Sequence, residues 1–421
     1  MKIIYVLMAF LTFLGCSTPA SEKEEQSFED KIILKDLVVT DDGVRLSWSE
    51  LDNSSFDYYI ISRRESPDVD WNSFGIILDN LYNQEQTNYL DTDFPFSPYV
   101  EYRVVGKLFG GNIDVVSNAQ KITNQEVNVL GKEIDQVLND ETNSRLYFVD
   151  LKGVISIFDL NSNEIVKRLD INSPIGYSDI AVFNNQSELY VPREDGWLYI
   201  YNADNLNLID RIDIGSRSTS VVSSNNYLYI STERNWPRKA IRVFNRINKG
   251  LIEETGDNEF TRLRKWPNSQ TELLEITLNL APVDLDFWSF SQDGKYISHK
   301  TDSYHGDYPL DANIFAFFPD RERFITGREG AIYTKDLLFQ SRLPKGYLDF
   351  SSFGFFESKI YAGCSNEKSV QLFDINTFQD LGFIKTKSYP KYLFKKESNL
   401  IIIGRSSNTH AASLVLEQIQ L

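Results

Sequence analysis

The sequence predicts an all-β protein in which a β-sandwich of roughly 100 residues precedes a seven-bladed β-propeller. Short apolar–polar alternations separated by turn signals fill residues 31–124, and one segment recurs seven times after residue 125. Phe and Tyr are abundant, with 28 and 22 copies, and both favour strands. Because only Cys16 and Cys364 are present, no disulfide framework is expected and burial must stabilise the fold.

The first sixteen residues have the composition of a secretion signal. Lys2 precedes an apolar run, Ile3–Leu14, that is too short for a typical membrane span and ends at Gly15–Cys16. This ending resembles the lipobox of bacterial lipoproteins, with Phe13 where that family usually has Leu, Val or Ile. The resemblance implies that residues 1–15 are a signal peptide and that the cysteine carries lipid. The alternative is an ordinary signal peptide with an incidental cysteine.

Residues 16–30 have almost no apolar periodicity, which predicts a flexible acidic tether. Lys23–Glu25 resembles the acidic export signal of Bacteroidota lipoproteins, and a solvated acidic linker is the alternative. The resemblance implies a lipid-anchored protein of the outer membrane, with the cell surface as one of two orientations. The membrane is thus an expected partner through the lipid on Cys16.

The net charge of −17 bears on the possible partners. Nucleic acid requires clustered Lys and Arg against its phosphates, so this chain is not expected to bind it. An anionic membrane is an equally poor partner for the folded surface. The acidity favours solubility and does not indicate a fold.

The segment 31–124 contains five short strand patterns. Val44, Leu46 and Trp48 fall on one face of the first pattern, and Tyr102 lies in the fourth. The arrangement resembles a fibronectin type III domain, in which Trp48 and Tyr102 match two core aromatic residues. The resemblance implies a β-sandwich that acts as a spacer or a partner-binding module.

The recurring segment is an apolar strand that leads into a turn. Its seven copies begin at Leu146, Leu189, Leu228, Lys295, Arg323, Lys359 and Leu400. The distances between successive starts are 43, 39, 67, 28, 36 and 41 residues. The long distance predicts an insertion near residues 246–271, and the short one predicts a reduced outer edge in the fourth blade.

Further alternating strands flank these copies, and four strands per unit predict a propeller over residues 126–421, with seven blades favoured and six or eight as the alternatives. A propeller must close its ring, so Val127–Leu130 is expected to supply the outer strand of the blade that ends with Ser413–Leu421. Several units place Phe-Asp before a short turn and a returning strand, as in Phe158–Asp159. This pattern resembles YVTN-type and quinoprotein-like propellers.

No motif in the chain indicates catalysis, and no cofactor is expected. His299 and His305 lie near Asp302 and Asp307, where a metal site is conceivable, but a polar loop is the favoured interpretation. The third histidine is His410. Cys364 ends a predicted strand and is expected to be a buried, inert thiol.

Cations recur in the turn that follows each repeated strand, and these turns share one face of a propeller. They are Lys152, Arg193, Arg234, Lys300, Arg328 and Arg405. Arginine forks bind carboxylates and sulfates, and aromatic faces stack on sugars. The candidate ligand site therefore comprises Arg193, Trp197, Arg234, Trp236, Arg328 and Arg405. The alternative is that these cations pair with acids such as Glu194, Glu233 and Glu329.

A second basic stretch, Phe260–Pro267, is either a partner-docking loop or, as favoured, a solvated excursion. The preferred function is a non-catalytic envelope lipoprotein that presents a propeller to a protein partner or a glycan. The alternative is a propeller enzyme of the lyase or dehydrogenase type that acts on an extracellular carbohydrate or small molecule.

Overall fold

The computed structural model describes residues 31–40, 42–67, 71, 75–110, 114–304, 306–409 and 412–421. The expected signal peptide, the tether with Cys16, His305 and His410 lie outside these described residues. The regular secondary structure of the described residues consists of β-strands, which confirms the all-β prediction. Among them, no helix is long and apolar enough to cross a membrane.

The N-terminal part consists of two antiparallel sheets. Its strands are β1 (Val38–Thr40), β2 (Gly43–Ser47), β3 (Phe56–Arg64), β4 (Ile76–Leu81), β5 (Asn88–Asp91), β6 (Tyr99–Leu108), β7 (Val115–Val116) and β8 (Gln120–Thr123). One sheet has the order β1-β2-β5, and the other has the order β4-β3-β6-β7 with β8 also paired to β6. We call this part the sandwich.

The sandwich core is aromatic, as the sequence predicts. Trp48 and Tyr102 are buried, and the Trp48 ring meets the Tyr59 ring edge-on with 5.6 Å between centroids. The Tyr102 hydroxyl donates a 2.7 Å hydrogen bond to Asp91 Oδ2, which also accepts one of 2.6 Å from the buried Arg63 guanidinium. Burial and the adjacent Asp91 carboxylate raise the pKa of Tyr102, so this hydroxyl remains a donor.

The rest of the chain folds into consecutive four-stranded antiparallel sheets. The strands are β9 (Asn128–Gly131), β10 (Gln136–Asp140), β11 (Arg145–Asp150), β12 (Val154–Asp159), β13 (Glu164–Asp170), β14 (Asp179–Phe183), β15 (Gln186–Pro192), β16 (Trp197–Asn202), β17 (Leu208–Asp213), β18 (Ser218–Ser224), β19 (Tyr227–Thr232), β20 (Ile241–Asn245), β21 (Leu251–Thr255), β22 (Thr261–Lys265), β23 (Glu272–Thr277), β24 (Leu285–Phe290), β25 (Tyr296–Thr301), β26 (Phe315–Phe317), β27 (Arg323–Thr326), β28 (Ala331–Thr334), β29 (Phe339–Arg342), β30 (Phe350–Phe356), β31 (Lys359–Cys364), β32 (Ser369–Asp374), β33 (Asp380–Lys385), β34 (Tyr389–Lys396), β35 (Asn399–Arg405) and β36 (Leu414–Gln420).

Each sheet from β10 onward uses strands in chain order, and the last sheet has the order β34-β35-β36-β9. Strand β9 precedes all the others of this region in sequence, yet Val129 pairs with Val415 and Asn128 with Leu416. The expected closure by residues near 127–130 is confirmed.

Buried apolar side chains join each sheet to the next. Leu146 and Phe148 of the first sheet pack in one cluster with Ile401 and Ile403 of the last sheet. Equivalent clusters join the other consecutive sheets. The sheets therefore form a closed, propeller-like ring, which we call the ring.

Tight hairpins set the register between the first two strands of several sheets. Asn184–Asn185 and Asn225–Asn226 have φ values of 48°, 62°, 51° and 62°, and each pair directly connects two paired strands. Two consecutive residues in this left-handed region form the turn whose twist matches antiparallel strands, and Asn tolerates it best among non-glycine residues. These turns orient the apolar positions toward the neighbouring sheets.

The prediction that the fourth copy of the repeated segment begins at Lys295 is wrong. Lys295–Asp302 contains β25, the exposed fourth strand of its sheet, whereas the second strand is Glu272–Thr277. The long and short distances between repeats arise from this assignment. Residues 246–271 include β21 and β22 rather than an insertion, and the fourth sheet has its complete outer edge.

Candidate functional site

One face of the ring carries the turns between the second and third strands of the sheets. Adjacent strands are antiparallel, so these turns lie at the same edge as the starts of the innermost strands β10, β14, β18, β22, β26, β30 and β34. We call this surface the turn face. Four of the predicted arginines lie on the turn face or at the strand ends beside it, namely Arg193, Arg234, Arg328 and Arg405. Lys300 lies on β25 and does not belong to the turn face.

The two predicted tryptophans have different environments. Trp197 begins β16, and its ring lies 4.5 Å from the Arg211 guanidinium on the outermost strand of the same sheet. Trp236 lies in the turn between β19 and β20, with 85% of its surface exposed. Trp236 is thus available to a ligand on the turn face, and Trp197 is occupied by an intramolecular cation–π contact.

Acidic partners neutralise much of the turn face. The Arg234 guanidinium contacts the Asp257 carboxylate at 2.9 Å, and Arg193 contacts Asp195 at 3.4 Å while lying 4.3 Å from the Tyr199 ring. The predicted acids Glu194 and Glu329 pair with Arg217 and Arg342 instead of with the repeated cations. Exposed pairs of this kind contribute little free energy.

The remaining two predicted arginines differ in their contacts. Arg405 donates hydrogen bonds of 3.2 Å to the Ser365 carbonyl and to Asn408 Oδ1, which are neutral acceptors. Arg328 is exposed and forms no ion pair within the described part of the chain. The structure does not bring the six predicted residues together into one cluster with short mutual contacts.

The sandwich covers part of the turn face. Asp93 of the sandwich accepts a 2.6 Å hydrogen bond from the Tyr389 hydroxyl and lies 3.1 Å from the Lys368 ammonium. Backbone pairing adds to this contact, since the Phe96 amide donates to the Ser406 carbonyl at 2.9 Å. The sector formed by the sixth and seventh sheets, which includes Arg405, therefore lies against the sandwich.

A cavity of about 460 Å³ lies at the centre of the ring. Residues of five innermost strands, β10, β14, β18, β22 and β26, line it. Part of its wall is polar. The Gln136 side-chain amide donates a hydrogen bond to the Ser178 carbonyl and accepts one from the Ser178 backbone amide, both of 2.8 Å. Small-molecule sites in proteins have cavities of this size.

Two arginines of β22 project into this cavity. Arg262 donates to the Ala312 carbonyl at 3.1 Å and to Asn313 Oδ1 at 2.7 Å, and its guanidinium lies 4.0 Å from the Tyr177 ring. Arg264 donates to the same Ala312 carbonyl at 2.6 Å, and its buried Nε has no hydrogen-bond partner. Residues two apart on a strand share a face, which places both guanidiniums together.

Burial and mutual repulsion disfavour the charges of these arginines. Burial lowers the pKa of Arg262, and burial together with the charge on Arg262 lowers the pKa of Arg264 well below its usual value. The Tyr177 hydroxyl donates to Asn313 Oδ1 at 2.8 Å and thus holds the amide that receives Arg262. We call Tyr177, Arg262, Arg264 and Asn313 the central cluster.

Other titratable groups occupy the centre of the ring. Burial raises the pKa of Asp179 to about 6, although its Oδ2 accepts a 2.7 Å hydrogen bond from the Ser223 amide. Lys391 on β34 donates to the Ile134 carbonyl at 2.5 Å, and burial lowers its pKa. The cavity wall therefore combines the two arginines of β22 with the carboxyl group of Asp179.

The sequence did not identify the central cluster as a site. Phe260–Pro267 was interpreted as a solvated excursion, and this interpretation is wrong because residues 261–265 form the innermost strand β22. The signal was available in the alternation of Arg262 and Arg264 with Leu263. The incorrect assignment of the fourth repeat concealed it, since that assignment left these residues outside any sheet.

Neither metal binding nor thiol chemistry is indicated by the geometry. Within the described ranges, no three His, Cys, Asp or Glu residues are grouped to hold a metal ion. The His299 ring stacks on the Trp288 ring at 4.7 Å and accepts or donates a 3.1 Å hydrogen bond with Tyr296. Cys364 is buried, as expected, and burial raises the pKa of its thiol to about 11.

Comparisons with known proteins identify the fold and no family. No family model matches the sequence, and no curated protein matches it. The chain is similar to the structure of Raptor from Chaetomium thermophilum, with a TM-score of 0.50 and 12% identity over 70% of this chain and 29% of that chain. It thus spans less than a third of the length of Raptor.

Two further structures resemble the chain. Hydrazine synthase from Kuenenia stuttgartiensis has a TM-score of 0.51 and 12% identity, over 71% of this chain and 99% of that chain. The computationally designed Ika8 protein has a TM-score of 0.46 and 12% identity, over 68% and 98% of the two chains. At such low identity, the likeness to Raptor and to hydrazine synthase shows the fold alone.

Proposed function

We propose that this chain is a lipoprotein of the outer membrane, anchored through Cys16, which presents its ring to a glycan outside the cell. Residues 1–15 act as the signal peptide and residues 16–30 as the tether. The ring binds its ligand without transforming it. The observation that carries the proposal is that the sandwich contacts the ring at one end while the chain enters the sandwich at the other.

The path of the first strand supports this spacer geometry. Leu34 forms an isolated β-bridge with Trp48. Val38 pairs with Arg45, and Thr40 pairs with Gly43 beside the hairpin turn. Residues 31–34 therefore lie at the end of the sandwich opposite this turn. Asp42 and Gly43 in that turn line a groove shared with the ring residue Lys368. A tether that precedes residue 31 would therefore begin at the end of the sandwich farthest from the ring.

We assign the sandwich as a fibronectin type III-like domain, residues 31–124, and the ring as a seven-bladed propeller, residues 126–421. The first assignment is supported by two facing sheets around Trp48 and Tyr102. The second is supported by the apolar clusters that join the last sheet to the first, with β9 as the closing strand.

The exposed aromatic side chain of the turn face favours a glycan over a protein partner. Trp236 is almost fully exposed beside Arg234, Arg238 and Lys239, whose carboxylate partners lie at the protein surface. An exposed indole provides a flat apolar surface for a sugar ring, and the adjacent paired cations offer further N–H donors to its hydroxyl groups. A protein partner would instead require a large contiguous interface.

The anchor is tested with Cys16→Ser in the native host. We expect the variant to leave the membrane fraction and to lose lipid labelling, whereas Cys364→Ser keeps both, since Cys364 is buried in the ring. Protease treatment of intact cells should remove the wild-type protein from the surface. Membrane retention and lipid labelling of Cys16→Ser would contradict the anchor.

The ligand is tested with purified protein on a glycan array. We expect Trp236→Ala to weaken glycan binding at least tenfold because the exposed indole is lost. The matched control is Tyr82→Ala, which removes an aromatic side chain of the sandwich that is 70% exposed. Absence of any glycan signal for the wild type, together with capture of a single surface protein that Trp236→Ala abolishes, would replace the glycan with a protein partner.

A further inference from the structure

The central cluster differs from every other buried arginine site described in this chain by its lack of a carboxylate partner. Arg63 contacts Asp91 at 2.6 Å and Glu65 at 3.2 Å. Arg246 binds both carboxylate oxygens of Glu188, at 2.8 and 2.9 Å. Buried arginines are normally compensated in this way, because an unpaired buried charge is costly.

Arg262 and Arg264 receive only neutral acceptors. Their hydrogen bonds go to the Ala312 carbonyl and the Asn313 side chain, and neither forms an ion pair with the residues that the structure describes. Two guanidiniums on one face of β22 also repel each other. The Arg264 Nε is a buried donor without a hydrogen-bond partner, and both arginines line the cavity.

The acids around the cluster are engaged elsewhere, and Asp179 on the cavity wall accepts a 2.7 Å hydrogen bond from the Ser223 amide. Asp135 Oδ2 accepts a 2.8 Å hydrogen bond from the Leu151 amide. Asp311 Oδ1 accepts one of 2.7 Å from the Asn313 amide and so fixes the loop that carries this residue. The Asp135 and Asp311 carboxylates stabilise the charged arginines by electrostatic attraction without forming an ion pair with them. Neither occupies the position of a bound anion.

We propose that the central cavity binds an acidic sugar unit, with Arg262 and Arg264 holding its carboxylate or sulfate group. Guanidinium forks bind both groups in a bidentate manner. The cavity of about 460 Å³ has the volume of a site for a small molecule, and the Ser223 side chain that lines it offers a partner for a hydroxyl group. This inference rests on the proposed glycan-binding function and names the charged part of the ligand.

The test is isothermal titration calorimetry on purified full-length protein. The probes are D-glucuronate, glucose 6-sulfate, D-glucose and inorganic sulfate. We expect one or both charged sugars to bind and D-glucose to bind at least tenfold more weakly, and the two charged sugars separate carboxylate from sulfate recognition. Binding of neither charged sugar, or of inorganic sulfate alone, would overturn the proposal.

Arg264→Gln is the informative variant. We expect it to weaken binding of the charged sugar at least tenfold and, without ligand, to raise the thermal midpoint, because it removes an uncompensated buried charge. A residue needed only for structure would lower that midpoint. Arg211→Gln, on the outer strand β17, is the matched control and should bind as the wild type does. Wild-type affinity in Arg264→Gln would refute the assignment.

A second variant keeps the proposal testable if Arg264→Gln does not fold. Arg262→Lys retains the charge and removes the planar fork, so it should also bind the charged sugar at least tenfold more weakly. The outcomes also separate this proposal from the preceding one. Array binding that Trp236→Ala abolishes and Arg264→Gln leaves unchanged would overturn the central site and leave glycan binding at the turn face.

Discussion

The Tyr389 hydroxyl donates a 2.6 Å hydrogen bond to Asp93 Oδ1 and thereby joins the innermost strand of the last ring sheet to the sandwich. Tyr389 is buried, and the adjacent Asp93 carboxylate contributes to raising its pKa, so the hydroxyl stays protonated as a donor. The contact is reinforced by Lys368, whose ammonium donates to the Phe94 carbonyl at 2.7 Å. These groups fix the orientation of the two parts.

Tyr389→Phe tests this junction. We expect the variant to lose about 1 kcal/mol of stability, since one hydrogen bond to a partly exposed carboxylate is removed while the ring remains in place. In scanning calorimetry, the unfolding transitions of sandwich and ring should separate further than in the wild type. Tyr347→Phe removes an exposed hydroxyl and should leave the profile unchanged. A single unshifted transition in Tyr389→Phe would show that the hydrogen bond does not couple the two parts.

The buried Arg63–Asp91 pair should be the most sensitive polar contact of the sandwich. Arg63→Met leaves the Asp91 carboxylate, which is only 2% exposed, without its cation. We expect a loss of about 3–5 kcal/mol, because breaking a buried ion pair leaves a charge uncompensated. The midpoint of urea unfolding, followed by tryptophan fluorescence, measures the change.

The exposed pair Lys107–Asp114 provides the control for that prediction. Its side chains are 32% and 41% exposed, so Lys107→Met should change the stability by less than about 1 kcal/mol. Equal effects of the two substitutions would mean that burial does not determine the contribution of these pairs. They would also contradict the structural role of Arg63.

Alternation along the chain is sufficient to predict the all-β class and the repeated antiparallel sheets. Strands such as Arg145–Asp150 and Lys359–Cys364 present consecutive apolar side chains to the sheets on both sides, which makes them visible in sequence. The second strand of the fourth sheet escaped detection because it contains Glu272 and Glu275, whereas the exposed strand Tyr296–Thr301 begins with two apolar residues and resembles the repeated segment. A buried carboxyl group breaks the pattern on which such a prediction depends.

The candidate site was less predictable for a geometric reason. Turn residues such as Arg234 follow a repeat and can be compared between its copies, but their ion pairs involve residues such as Asp257 in another loop. The central cluster combines Tyr177, Arg262 and Asn313 from three sheets or their connecting loops. The folded ring brings these side chains together across its centre, and sequence spacing does not show which residues of different sheets meet there.

The buried carboxyl group of Glu275 should make the stability of the fourth sheet depend on pH. Its carboxyl group is 1% exposed, and burial, followed by the charge on Asp286, raises its pKa from 4.5 to about 8. Burial favours the neutral form, so ionisation opposes folding. Relative to Glu275→Gln, the wild type should lose stability as the pH rises from about 4.5 to about 8, and the difference should then remain constant.

The measurement is urea unfolding of both proteins at pH 5 and pH 8. We expect Glu275→Gln to be more stable at pH 8 by roughly a few kcal/mol, with a smaller difference at pH 5. Trp288 Nε1 donates to Glu275 Oε2 at 2.8 Å, and the amide oxygen of glutamine preserves this bond. Glu164→Gln, on the exposed edge strand β13, should have no such pH dependence. A pH-independent difference for Glu275→Gln would mean that the carboxyl group is already ionised.

Closure of the ring can be tested by two adjacent residues of β9. Leu130 is 8% exposed and packs in the cluster between the last and first sheets, whereas Val129 is 40% exposed. Leu130→Ala should cost about 2–4 kcal/mol through lost burial and the resulting cavity, and Val129→Ala less than about 1 kcal/mol. Hydrogen exchange should also accelerate in β36, the partner strand. Equal costs for the two substitutions, without faster exchange in β36, would show that β9 does not hold the ring closed.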